Sequence, residues 1–198
     1  CATVKPRGPD ADGAFVEPRA ALGHQRLAII DAAGGAQPMS ALGGRVVLVY
    51  NGEVYNHREL RRELEASGAE FSTRSDTEVV LNAYLKFGAD CPRYLRGMFA
   101  FAVWDARDQS LLLVRDRLGI KPMFYARAGG ALIFGSETKA LLASGLVERS
   151  LDPQALDDYF AYGFIRSPRS IYEDVRSLLP GHSLRVKLGD GPPALELA

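Results

Sequence analysis

Apolar and polar positions repeat along this chain with two different periods. Short runs rich in Val, Leu, Phe and Ala, at 45–50 (RVVLVY), 99–104 (FAFAVW) and 111–115 (LLLVR), have the length and composition of β-strands. Further strands are expected near 132–134 and at 183–188. The polar segment 105–110 between FAFAVW and LLLVR predicts an antiparallel hairpin. Elsewhere the period lengthens to that of a helix. One helix is expected over 58–67, closing at Gly68. A second starts after Ser75, whose spacing to Glu78 makes a capping box; it carries Val80, Ala83, Tyr84 and Phe87 on one stripe and stops at Gly88. A third, 137–144, ends at Gly145, and Asp152-Pro153 forms an N-cap and N1 pair opening a helix to about Tyr162. Gly/Pro-containing turns fall at 33–37 and 189–193. Hairpins followed by adjacent helices predict a layered α+β fold rather than a βαβ array.

Composition narrows this picture in a few places. At 198 residues the chain fits one domain with a sizeable core. Lys+Arg and Asp+Glu are balanced at 24 each, so no global field attracts nucleic acid or an anionic membrane. No apolar run approaches the roughly 18–20 residues that span a bilayer. No secretory leader is expected at the front of the sequence. The two cysteines, Cys1 and Cys91, suggest no disulfide framework, and a reducing cytoplasm is the default compartment. His24, His57 and His182 are too scattered to suggest a metal site.

Four constellations could carry chemistry. Cys1 is either the accidental start of a numbering or an exposed N-terminus. In the second case its α-amine, with an intrinsic pKa of about 8, can serve as base for its own thiol. Asn51-Gly52, after RVVLVY, is either a plain turn or a pair of donors, a side-chain amide and a close backbone N–H, aimed at one oxyanion. Arg26 precedes the strand-like run 27–30. It is either a snorkelling edge residue or a planar bidentate ligand for a carboxylate. Asp76 either complements a helix dipole or holds an ammonium. Arg26 and Asp76 together would suit a free amino acid. Cys91 is expected to be a structural thiol, and Glu137 a first-turn dipole partner.

These residues lie within a longer series of ordered motifs. RGPD at 7–10 with Gly13, GHQRLAIID at 23–31 and GAQPM at 35–39 are followed by NGEVYNHRELRREL at 51–64 and SDTEV at 75–79. RGMFAFAVWD at 96–105, RDRLGIKPMFY at 115–125, FGSETKAL at 134–141 and LPGH at 179–182 complete it. In this order they resemble the N-terminal domain of the asparagine synthetase family, a class II (N-terminal-nucleophile) glutamine amidotransferase, over nearly the whole chain. NGEVYNH, RDRLGIKPMFY and FGSETKAL resemble that branch more than the purine- or hexosamine-pathway relatives.

The resemblance implies a four-layer αββα sandwich of the N-terminal-nucleophile hydrolase type. It implies an enzyme that hydrolyses glutamine, with Cys1 as nucleophile and Asn51 and Gly52 as the oxyanion hole. Arg26 would bind the glutamine α-carboxylate, Asp76 and Glu53 the α-ammonium, and Leu27 and Ile29 would give backbone and wall contacts. The glutaminase domain is expected over 1–188, with 189–198 starting a linker to a C-terminal synthetase domain. No cofactor is expected in this domain; ATP and Mg belong to the synthetase domain, which receives the ammonia. Glutamine and that domain are the expected partners, with no nucleic acid and no membrane, and a homodimer is left open. The family has a strand and a helix between its Cys and RGPD, where this sequence has only Ala2–Pro6, so a further strand and helix are expected there. The competing reading is a non-catalytic, glutamine-sensing or interaction module that retains the fold.

Overall fold

The computed structural model describes residues 2–28, 30–31, 34–189 and 194–197. The first described element is a 3-10 segment, Ala2–Arg7. A hairpin follows, β1 (Ala11–Glu17) and β2 (Ala20–Arg26). Next come β3 (Met39–Ala41) and β4 (Val46–Val54), then the helices α1 (His57–Ala66) and α2 (Asp76–Phe87). The hairpin predicted around 105–110 is β5 (Gly97–Asp105) and β6 (Ser110–Arg115). The chain continues with β7 (Phe124–Ala128), β8 (Ala131–Gly135), α3 (Thr138–Leu142) and α4 (Pro153–Tyr162). It finishes with β9 (Val175–Ser177), β10 (Ser183–Lys187) and β11 (Ala194–Leu197). Part of the stretch expected to be linker is therefore an edge strand.

The central layer is an antiparallel sheet of order β11-β10-β6-β5-β4-β3. Strand alternation divides its side chains between two cores. Val46, Leu48, Tyr50, Phe101 and Val103 pack under Leu60 and Leu64 of α1 and Val79, Val80 and Ala83 of α2. Each such fully buried aliphatic side chain contributes about 1.5–3 kcal/mol. The opposite face, with Val47, Val49, Ala100, Ala102 and Trp104, meets Leu22 and Phe15 of the first hairpin and Leu132 and Phe134 of β8. The second β-layer is thus in two pieces, β1-β2 and β8-β7-β9. Its outer side packs on α3 through Ala126, Ile133, Leu141 and Val175. The layers run α, β, β, α, as the resemblance implied.

The helix caps follow the sequence with one correction. The Ser75 hydroxyl accepts the Glu78 N–H (3.3 Å). The Glu78 carboxylate, however, does not return to Ser75. It accepts the N–H groups of Ser72 (2.8 Å) and Thr73 (2.7 Å) and the Thr73 hydroxyl (2.6 Å), tying down the loop before α2. At α4, Asp152 Oδ1 accepts the N–H groups of Gln154 and Ala155, and Gly163 closes the helix at φ 78°.

Candidate active site

Asn51-Gly52 is not a turn. β4 runs straight through NGEV, and Asn51, Gly52, Glu53 and Val54 pair with Ala100, Phe99, Met98 and Gly97 of β5. This continuation determines where the donors point. β3 stops pairing at Leu48, so the outer edge of β4 is uncovered beyond it. The Gln37 side chain takes over at Tyr50: its Oε1 accepts the Tyr50 N–H (2.6 Å) and its Nε2 donates to the Tyr50 carbonyl (3.0 Å). At Val54 the outward N–H donates to Asp76 Oδ2 (3.1 Å). Residues two apart on a strand share an edge, so the Gly52 N–H points the same way, between these two filled positions. Among the described residues no acceptor meets it. Gly52 itself is required by the neighbouring strand, because a Cβ there would lie 2.2 Å from the Met98 carbonyl oxygen. On the face of the sheet toward the second β-layer, alternation places Asn51 and Glu53.

Asp76 sits in the first turn of α2 and is buried. Its Oδ2 also accepts the Tyr50 hydroxyl (2.6 Å). Burial and then the Asp76 charge push the Tyr50 pKa far above the usual phenol range, so this hydroxyl remains a donor.

Arg26 closes β2, so the described residues Leu27, Ala28 and Ile30 follow that strand. The residue is buried (8% exposed), and its guanidinium donates to the Asp31 carbonyl at 2.8 Å. Gly35 makes room for it, since a Cβ there would come within 2.4 Å of Nη2. Asp31 is a strut. Its carboxylate accepts the Arg74 N–H (2.8 Å) and the Gly34 N–H (2.9 Å), which hold its pKa below the usual carboxylate range. One residue thereby joins the loop around Arg26 to the loop that begins α2 at Asp76. His24, two residues before Arg26, has its pKa lowered to about 4 by burial and then by the Arg26 charge, so it adds no second cation at neutral pH.

A single cavity of about 950 Å³ brings these groups together: Arg26, Leu27, Asn51, Gly52, Glu53 and Asp76 all line it. Leu27 is 57% exposed at its rim. Cys1 and Ile29 lie outside the described residues. Tyr50, Gln37 and Asp31 are site-building residues that the sequence reading did not single out. Cys91 is fully buried and its thiol is pushed up to about 12 by burial and by Asp90, as suits a structural thiol. Glu137 is the N-cap residue of α3, one position before the helix, and bonds Arg7 and Lys139 rather than a helix dipole alone. Among the described residues there is no cluster of three or more His, Cys, Asp or Glu that could hold a metal, and no helix is long and apolar enough to cross a membrane. A cation, a carboxylate and an unpaired backbone donor around one cavity can hold a zwitterionic amino acid with an oxygen at the Gly52 N–H.

Comparison with known proteins bears on which amino acid. The chain is 42% identical over 185 residues to the Bacillus subtilis asparagine synthetase [glutamine-hydrolyzing] 3, covering 92% of this chain and 30% of that protein. It is 40% identical over 182 residues to B. subtilis asparagine synthetase [glutamine-hydrolyzing] 1, covering 91% and 28%. The chain thus spans under a third of the length of these relatives. Among solved structures, the B. subtilis glutamine phosphoribosylpyrophosphate amidotransferase superposes with a TM-score of 0.62 at 24% identity, over 89% of this chain and 34% of that one. An allosteric regulatory enzyme of purine biosynthesis gives 0.61 at 25% identity over the same shares. These two share the layered fold. Residues 1–192 match the family model of the glutamine amidotransferase domain, and the chain belongs to that enzyme family.

Proposed function

We propose that this domain hydrolyses glutamine to glutamate and ammonia through Cys1, and delivers the ammonia to an ATP-using, amide-forming domain of the asparagine synthetase kind. The observation carrying this reading is that Arg26, Asp76 and the open Gly52 N–H share one cavity. Arg26 takes the α-carboxylate, and Asp76 with Glu53 takes the α-ammonium. The side-chain carboxamide then lies with its oxygen toward the Gly52 N–H and the Asn51 amide. The Cys1 α-amine accepts the thiol proton as the sulfur–carbon bond forms. The tetrahedral oxyanion is held by the two donors, each worth about 10²–10³ in kcat. The proton then passes to the leaving nitrogen as the carbon–nitrogen bond breaks, releasing ammonia and a thioester. Water attacks the thioester, glutamate leaves, and the thiol is restored. Leu27 and Ile29 wall the site. No cofactor enters these steps; ATP and Mg act in the acceptor domain, and a reducing cytoplasm suits the thiol.

The test is glutamate release by the protein and by Cys1→Ala, with glutamine binding followed by calorimetry. Hydrolysis is expected to vanish in the variant while binding persists. Acetylating the α-amine is expected to inactivate as well. Glutamate release by Cys1→Ala at the parent rate would remove Cys1 from the mechanism. Binding without hydrolysis by the parent would instead favour a glutamine-sensing module.

A further inference from the structure

The ammonium-binding carboxylate has an uneven set of partners. Both donors that reach Asp76, the Tyr50 hydroxyl at 2.6 Å and the Val54 N–H at 3.1 Å, fall on Oδ2. Oδ1 takes no hydrogen bond among the described residues, and Asp76 lines the cavity. A carboxylate in the first turn of a helix ordinarily has a choice: it can fold back on the helix N–H groups or swing outward. Here the choice is closed, because one oxygen is held from two directions inside the core. The hold is itself rigid. Tyr50 is 4% exposed, its ring packs among the helix-side core residues, and its backbone is bracketed by Gln37 on both polar atoms.

We propose that Tyr50 is a positioning residue for substrate recognition: with Val54 it occupies Asp76 Oδ2 and so presents Oδ1 to the α-ammonium of glutamine. This rests on the reading that Asp76 binds that ammonium. Tyr50 touches no substrate atom. Its effect on turnover passes through Asp76, and only for substrates that carry the ammonium.

That restriction separates positioning from plain structure. Glutaramate is glutamine without the α-amino group and keeps the same carboxamide. The experiment compares kcat and KM of the protein and of Tyr50→Phe for both compounds, with Asp76→Asn and the double variant alongside. For glutamine, Tyr50→Phe is expected to raise KM about ten-fold and to change kcat less than two-fold, as loss of one hydrogen bond to a charged group implies. For glutaramate, kcat/KM is expected to match the parent, which also shows the variant to be folded. In the Asp76→Asn background the effect of Tyr50→Phe on glutamine is expected to disappear. An equal loss on both substrates, including loss of all turnover through misfolding, would make Tyr50 a core residue only and overturn the proposal. An unchanged glutamine KM would overturn it too, while leaving the Asp76 assignment standing. A parent that handles glutaramate as well as glutamine, or hydrolyses neither, would overturn the underlying reading and this proposal with it.

Discussion

Replacing Gly52 by alanine tests the geometry of the strand and the chemistry of the site in one step. The added Cβ would stand 2.2 Å from the Met98 carbonyl oxygen and 2.7 Å from Phe99 Cα, both backbone atoms of β5. Ordinary contact begins near 3.4 Å, so the two central strands must part locally by about 1 Å. Overpacking of this kind costs roughly 1–3 kcal/mol. Stretching the ladder bonds on either side, at Asn51 and Glu53, adds on the order of 1 kcal/mol. A total of about 3 kcal/mol in a domain of this size lowers Tm by roughly 6–12 °C. On the proposed mechanism the same displacement carries the Gly52 N–H away from the oxyanion, where losing one such donor costs about 10²–10³ in kcat. Melting curves and a glutamate-release assay read the two effects separately. Asn51→Ala is the control: it removes the other donor without a clash, so kcat is expected to fall by a similar factor with Tm within about 2 °C of the parent. A Gly52→Ala protein that melts and turns over like the parent would refute both the close approach of the strands and the backbone donor.

Three further outcomes are expected. Arg26→Ala and Asp76→Asn should each lower kcat/KM for glutamine by about 30- to 1000-fold, mostly through KM, since each leaves a substrate charge unpaired; steady-state kinetics decide it. Cys91, with its thiol near 12, should resist iodoacetamide at pH 8 in the folded protein while Cys1 reacts, which peptide mass analysis distinguishes. His24 is neutral in the fold down to about pH 4 but titrates near 6.5 when unfolded, so the unfolded chain binds the extra proton first. Its contribution is complete above about pH 6.5 and is lost as pH falls toward 4. His24→Gln should therefore lose less stability between pH 7 and pH 4.5, by on the order of 2 kcal/mol, in melts at the two values.

The strongly apolar strands and the capped helices were legible because their signals are local. RVVLVY, FAFAVW and LLLVR are short β-rich runs, and Asp152-Pro153 marks the start of α4. β4 extends past its apolar run because Asn51 and Gly52, despite their turn chemistry, are kept extended by pairing with β5. β1 and β2 are hard to see in the sequence because ADGAFVE and AALGHQR offer little apolar contrast; one hairpin register and the packing of Leu22 against the central sheet hold them. At the site, Arg26 and Asp76 stand out because a cation and a carboxylate each suggest by charge the group they could pair with. Tyr50 reads as one more apolar position in a strand. Its bonds reach Asp76, 26 residues on, and Gln37, 13 back, which no local pattern encodes. The same holds for Asp31, whose contact with Arg74 spans 43 residues.

The uncovered stretch of β4 has a cost that sheets usually avoid. An exposed strand edge invites another chain to dock on it, the first step toward aggregation. Here the pairing with β3 stops at Met39, opposite Leu48, and three outward N–H groups follow along β4, at Tyr50, Gly52 and Val54. Gln37 blocks the first with a side-chain amide and Asp76 blocks the third with a carboxylate. Among the described residues, what stays open is one residue wide. An intruding strand needs at least two successive edge positions to register, whereas a single carbonyl oxygen needs only one. The edge is therefore closed to polymers and open to a small molecule.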